Sequence, residues 1–239
     1  MNQPTRVEEI TAILRDDILT GQYRTGERLP SERDLSARFE VNRGAVRESL
    51  KKLEQLGVAS INPGGARVLP IEQASLDVLG HLVDLNDRPD PKLIIHLIEV
   101  LGALLSMSAR RALEDATDSQ VIEMQSIVTC MIQNQSNFVN NHENWKNLGT
   151  LFANINDNLV LRLILNGLKT NFIDRLDRSK TLKFDKKQSL SIFNRIASSL
   201  EGRNTEQLAQ AINDHFNLVI QTFLNNFKVS SQITGSVSS

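Results

Sequence analysis

Apolar residues recur at helical spacing along most of the chain, and this pattern predicts a mostly α-helical protein. In residues 5–20, Val7, Ile10 and Leu14 share one side of a helix that ends at Gly21. From residue 74 onward the same period continues between breaks rich in Asn, Asp, Gly and Pro, with no convincing strand. We therefore expect about seven further helices, at 74–86, 91–113, 118–134, 137–155, 158–176, 185–201 and 205–228.

Residues 27–69 interrupt this pattern with the signals of two short helices and a hairpin. Ser31 and Asn42 are short polar residues placed to cap the first turns of the two helices. The turn at residues 62–65, Asn-Pro-Gly-Gly, separates two short apolar runs and predicts a β-hairpin. Arg43 and Arg47 lie one turn apart on the second helix, away from its apolar face. An exposed helix of this kind suits the major groove of DNA, where a guanidinium can bind guanine bidentately. The alternative is a structural helical hairpin with solvated charges.

This stretch resembles the winged helix-turn-helix domain of the GntR family of bacterial transcription regulators. The matching residues occur in order: Gly26, Leu29, Pro30, Ser31, Glu32, Arg33, Leu35, Val41, Arg43, Val46, Arg47, Leu50, Leu53, Leu56, Gly57, Gly64 and Gly65. The resemblance implies DNA contacts by Arg33, Asn42, Arg43, Gly44, Ala45, Arg47 and the wing-tip pair Gly64 and Gly65. Gly44 and Ala45 stand where the family's fatty-acid regulators carry hydroxyl groups, and Pro63 replaces a polar residue. The operator sequence is therefore not implied.

Length and charge agree with this interpretation. The chain has 239 residues, so a winged helix-turn-helix domain over 1–70 leaves an all-helical domain over 71–229 and a disordered polar tail over 230–239. The net charge is −1, yet residues 24–52 hold eight Lys and Arg against five Asp and Glu, a local balance of +3. We expect a homodimer that adds two such faces on DNA. No apolar run approaches a membrane span, and no signal region is evident, so we expect a cytoplasmic protein. The single cysteine, Cys130, is expected to be buried.

The second domain resembles the FadR subfamily, in which an antiparallel helical bundle holds an effector. The closest stretches are Leu76–Leu79 through Pro91–Ile94, and Leu163–Lys169. Many members bind a metal through one Asp and three His. Here residues 144–149, Asn-Trp-Lys-Asn-Leu-Gly, supply no Asp-x-x-x-His pair, Ile192 stands at the next ligand position, and only His215 matches. We therefore expect no metal and no cofactor.

Acid-sensing members place an Arg where this chain has Leu101. Without that Arg and without the metal, an apolar cavity favours a long aliphatic ligand such as a fatty acyl-CoA. The expected effector-binding residues are Leu101, Leu105, Trp145, Leu148, Phe152, Ile192 and His215. Two alternatives stay open: these residues fill a solid core, or the effector is a small carboxylate bound without metal.

We find no Ser-His-Asp set, Cys-His set or phosphate-binding glycine loop, which argues against an enzyme. The sequence thus predicts a homodimeric regulator that binds an inverted-repeat operator in double-stranded DNA, with a small-molecule effector that loosens binding as in a repressor. The competing interpretation is a helical ligand-binding or enzyme-like protein with a vestigial DNA-binding module.

Overall fold

The computed structural model describes residues 4–85, 90–134, 138–168 and 185–235. The chain divides into two compact units, Met1–Pro89 and Asp90–Ser239. The first is a small helical unit with a two-stranded sheet, and the described part of the second is helical throughout, so the predicted fold class is confirmed.

The first unit is a winged helix-turn-helix. Its elements are α1 Arg6–Leu19, α2 Glu32–Phe39, α3 Arg43–Gln55, β1 Ala59–Asn62, β2 Gly65–Val68, a short 3-10 helix Ile71–Gln73, and α4 Val78–Asp84. The strands are antiparallel and pair Asn62 with Gly65, which leaves Pro63 and Gly64 as the turn. The core is apolar, with Leu14, Leu35, Leu53, Val58 and Val68 among its buried members.

The unit extends further along the chain than the boundary predicted at residue 70. Val78 of α4 is 2% exposed and belongs to the core of the first unit. Gly57 lets the connecting segment pass close by: it has φ +71°, and a Cβ there would lie 2.8 Å from the carbonyl oxygen of Gln73. The amide of Ser75 also donates to the carbonyl of Leu56, at 2.9 Å. The helix predicted at 74–86 therefore belongs to the first unit, and the division falls after Pro89.

The second unit contains α5 Pro91–Asp115, α6 Asp118–Gln133, α7 Phe138–Ile155, α8 Leu159–Leu168, α9 Lys186–Glu201 and α10 Thr205–Gly235. Helix α5 packs on α10 and α7, while α9 packs on α10 and α6. The predicted continuation of α8 to 176 lies outside the described residues. Helix α10 continues to Gly235, beyond the predicted end at 228, so the polar tail does not begin at 230.

One expectation about this unit is wrong. Cys130 is exposed, because the buried face of α6 is formed by Val121, Met124, Val128 and Met131, and residue 130 lies off that seam. Helix α5 is long and apolar enough, by length and composition alone, to cross a membrane. A single such helix is weak evidence for a span, since core helices of soluble proteins pass the same test, and 39% of its apolar window is buried.

Candidate nucleic-acid interface and effector core

The start of α3 is fixed by its cap. The side-chain Oδ1 of Asn42 accepts a hydrogen bond from the amide of Ala45, at 2.9 Å. A Cβ on Gly44 would lie 3.1 Å from this same oxygen, so glycine leaves the cap room. Before the cap, Ser36 Oγ donates to the carbonyl of Val41 and closes the turn between the helices. Three predicted DNA-contacting residues, Asn42, Gly44 and Ala45, are thus brought together at the N-terminus of the exposed helix.

The arginines at this end fall into two kinds. Arg33, in the first turn of α2, and Arg43, in the first turn of α3, are exposed, and neither guanidinium makes a hydrogen bond or ion pair with any described residue. Arg47 instead donates Nε and Nη2 to the two carboxylate oxygens of Glu32, at 3.0 and 2.9 Å. These hydrogen bonds lower the pKa of the Glu32 carboxyl and raise the pKa of Arg47. A bidentate partner was not predicted for Arg47.

A further arginine, Arg28, lies against the wing and was not predicted as a DNA-contacting residue from the sequence. Gly65 has φ +105°, and a Cβ there would lie 2.8 Å from Nε of Arg28 and 3.0 Å from its Nη2. Arg28 also pairs with Arg67 through an isolated backbone bridge beside β2. Its guanidinium makes no hydrogen bond or ion pair within the described part of the chain. Glycine at 65 therefore permits both the turn and the close approach of a cation to the wing, while Gly64 stays exposed at the tip.

The predicted effector residues all lie in the interior of the second unit, on α5, α7, α9 and α10. Six are buried and Trp145 is half-buried. Trp145 and His215 stack with ring centroids 4.3 Å apart. Two aromatic neighbours were missed by the sequence analysis: Phe216 lies 5.6 Å from the Trp145 ring, and Phe193 lies 5.8 Å from the His215 ring. Both positions fall on the apolar stripes of α10 and α9, so helical periodicity alone could have found them.

The interior is tightly packed at two glycines. A Cβ on Gly102 of α5 would lie 2.7 Å from Cβ of Phe216 on α10. A Cβ on Gly149 of α7 would lie 2.9 Å from Cδ2 of Leu105 on α5. At these two points the helices are in close contact, and neither position has room for a side chain.

The polar atoms in this core are unusual. Burial lowers the pKa of His215 to about 3, so the imidazole is neutral at physiological pH. Its Nδ1 and the indole Nε1 of Trp145 are buried and have no hydrogen-bond partner among the described residues.

On the outer side of α9 and α10 there is also a shallow groove of about 380 Å³, where Arg195 pairs with Asp214 at 2.7 Å. Ile192 is the only predicted effector residue that lines this groove.

Metal-binding side chains do not gather in the described part of the chain, where no group of three or more His, Cys, Asp or Glu could hold an ion. Where the subfamily's ligands would stand, Asn144 is half-buried and Ile192 is buried in the apolar core. The expectation of no metal remains a prediction for elemental analysis.

Comparison with known proteins shows what the first unit is similar to. Residues 6–68 match the family model for bacterial regulatory proteins of the gntR family. The HTH-type transcriptional regulator Mce2R of Mycobacterium tuberculosis is 35% identical over 94 residues, covering 38% of this chain and 39% of the relative. The HTH-type transcriptional repressor NanR of Citrobacter rodentium is 30% identical over 126 residues, covering 50% of this chain and 48% of the relative.

A solved structure has a similar fold over most of the chain. It is that of Lar, which controls the expression of the Listeria monocytogenes agr system and mediates virulence. It superposes with a TM-score of 0.59 at 15% identity, over 94% of this chain and 99% of that chain. This likeness concerns the fold alone. The matches to Mce2R and NanR span about two fifths to one half of those relatives' length.

Proposed function

We propose that this chain, whose residues 6–68 match the gntR family, is a transcription regulator that binds double-stranded DNA. The observation that carries the proposal is the first turn of α3. It is capped by Asn42, it is exposed, and it presents Arg43 with a guanidinium that makes no hydrogen bond in the described structure. Arg33 and Arg28 add two further cations that make no hydrogen bond to a carboxylate in the described structure. Phosphates and guanine edges are the acceptors that such groups bind in DNA.

Selection from a random duplex library tests this proposal and requires no assumption about the operator sequence. We expect enrichment of a short inverted repeat by the full-length protein, with affinity that falls steeply as salt rises. Arg43→Ala should prevent enrichment, whereas Arg110→Ala, which removes an equally charged exposed side chain from α5, should not. Failure of the wild-type protein to enrich any duplex would favour a ligand-binding protein with a vestigial module.

We infer further that two copies act together. An inverted repeat is read by a two-fold dimer. Helix α8 exposes Leu159, Val160 and Leu163, each 60–66% accessible, and α5 exposes Val100 and Met107. Apolar side chains of this size on a helix surface favour burial against a second copy. Sedimentation equilibrium should report a dimer for the wild type and a weakened one for Leu163→Lys, whereas a wild-type monomer at micromolar concentration would contradict the inference.

The second unit is proposed to bind a small-molecule effector, and the resemblance to the FadR subfamily favours a long-chain fatty acyl-CoA. Leu101, Leu105, Leu148, Phe152 and Ile192 supply the apolar surroundings that an alkyl chain requires. We expect the ligand to release DNA, as in a repressor acting in the cytoplasm, and to bind more tightly as its chain lengthens. Titration of acyl thioesters of increasing length into the protein–DNA complex tests this. Release only by a short carboxylate would favour the alternative of a carboxylate sensor without metal.

A further inference from the structure

Of the buried polar side-chain atoms in the second unit that lack a hydrogen-bond partner among the described residues, two belong to adjacent aromatic rings: Nε1 of Trp145 and Nδ1 of His215. The two rings are stacked, with centroids 4.3 Å apart and planes inclined by 24°. A buried donor or acceptor that makes no hydrogen bond destabilises a fold, and core positions usually carry apolar side chains for this reason. Two such atoms on adjacent rings therefore mark a place where a polar group of another molecule would be stabilised.

The chemistry of the two rings limits what that group can be. The indole N–H donates and cannot accept, so its partner must carry an acceptor. His215 is only 9% exposed and lies among Trp145, Phe193 and Phe216, and desolvation lowers the pKa of its imidazole, which stays uncharged. The described side chains in ring contact with His215 are all uncharged, so a carboxylate here would leave water without gaining a positive partner from them, which is strongly unfavourable. A carbonyl oxygen accepts the same hydrogen bond and carries a far smaller desolvation penalty.

We propose that Trp145 and His215 form the polar contact of the effector site, and that the group they bind is an uncharged carbonyl, as in a thioester, ester or amide, joined to an alkyl chain. The apolar side chains of Leu101, Leu105 and Leu148 surround the chain. This inference rests on the proposed function, because it assigns a chemical group to the same site. It predicts that the site distinguishes an acyl thioester from the free fatty acid, which has a carboxylate where the thioester has an uncharged carbonyl.

The protein itself supplies the probe for a test, because Trp145 is its single tryptophan. Binding at this site should change the emission of Trp145 in the full-length protein. The ligands are dodecanoyl-CoA and S-dodecyl-CoA, a thioether of similar length that lacks the carbonyl oxygen. We expect the thioester to bind about 10-fold more tightly, since each net hydrogen bond contributes roughly 2- to 12-fold in affinity. Dodecanoate should bind more weakly than the thioester.

Variants then test whether Trp145 and His215 cause the difference in affinity between thioester and thioether. Trp145→Phe keeps an aromatic ring and removes the N–H, and in this variant calorimetry should find the two ligands within about 2-fold of each other. Phe193→Leu alters the same cluster without touching a polar atom, so it should keep the preference of about 10-fold. His215→Phe provides a second test if Trp145→Phe fails to fold by circular dichroism.

Equal binding of thioester and thioether by the wild type would overturn the inference, and would indicate that buried water serves the two atoms. Survival of the preference in both Trp145→Phe and His215→Phe, or tighter binding of dodecanoate, would overturn it as well. DNA affinity measured in parallel keeps this result distinct from the proposed function: if DNA binds and no acyl ligand does, the inference fails and the regulator remains.

Discussion

The ion pair between Glu32 and Arg47 predicts different roles for the two arginines of α3. An Arg side chain has five N–H donors. Arg47 donates Nε and Nη2 to the carboxylate of Glu32, so this pair of donors is already occupied. The remaining N–H groups of its guanidinium suit a single phosphate oxygen. Arg43 has its whole fork available for a guanine edge. We predict that Arg43→Ala relaxes sequence preference, whereas Arg47→Ala weakens binding to all duplexes alike.

The magnitudes depend on whether a variant removes a base contact or a phosphate contact. Without a bidentate base contact, operator affinity should fall roughly 5- to 150-fold per half-site, with little effect on a scrambled duplex. Without one phosphate contact, the slope of log K against log salt should fall by about 0.9 per half-site, hence by about 2 in a symmetric dimer. Glu32→Gln removes a negative charge from this surface and releases the fork of Arg47, so binding to both duplexes should strengthen.

Fluorescence anisotropy with the selected operator and a scrambled duplex, each at several salt concentrations, measures both quantities. Arg110→Ala is the matched control for loss of one exposed arginine. If Arg43→Ala weakened both duplexes equally while Arg47→Ala relaxed the preference, the roles would be reversed. Unchanged binding in both variants would show that α3 is not the DNA-reading helix.

Four further predictions address the wing, the core and the metal. Gly65→Val should weaken DNA binding in the anisotropy assay, because a side chain there is strained at φ +105° and displaces Arg28. Gly102→Val should destabilise the second unit in denaturant unfolding by about 1–3 kcal/mol, since it overpacks against Phe216. For His215 the folded pKa of about 3 lies below the unfolded value of about 6.5, so its contribution to stability is complete above pH 6.5 and declines as pH falls toward 3. That decline, by up to about 1.4 kcal/mol per pH unit, should be absent from the pH dependence of the free energy of unfolding of His215→Phe. Elemental analysis of tag-free protein should find no stoichiometric zinc or nickel.

The first unit was predictable because its signals are local. Ser31 and Asn42 cap the helices they precede, the turn at 62–65 sets the hairpin, and the apolar spacing of α3 specifies its buried face. Helix α4 was assigned to the wrong unit because its position depends on a contact between distant residues. The missing Cβ of Gly57 admits the segment at Gln73, and periodicity carries no information about that approach.

Contacts between residues distant in the sequence also explain why two pairings at the candidate interface were not predicted. Glu32 and Arg47 are fifteen residues apart, and Arg28 and Gly65 are brought together only by the fold. Family resemblance placed Arg33, Arg43 and Arg47 on one surface without distinguishing them. Only the folded geometry shows that Arg47 is already paired, and this distinction separates base reading from phosphate binding in the predictions above.

The close helix contacts at two glycines of the second unit bear directly on how an effector could act. A ligand that entered a preformed cavity, and bound two conformations equally, would leave the equilibrium between them unchanged. Where Gly102 meets Phe216 and Gly149 meets Leu105, there is no room for an alkyl chain without separation of the helices. Under the proposed function, binding and rearrangement of the bundle are therefore one event. Part of the free energy that each buried CH₂ contributes offsets the cost of separating these helices, so short chains should fail to separate them. Release of DNA should therefore begin only above a threshold chain length.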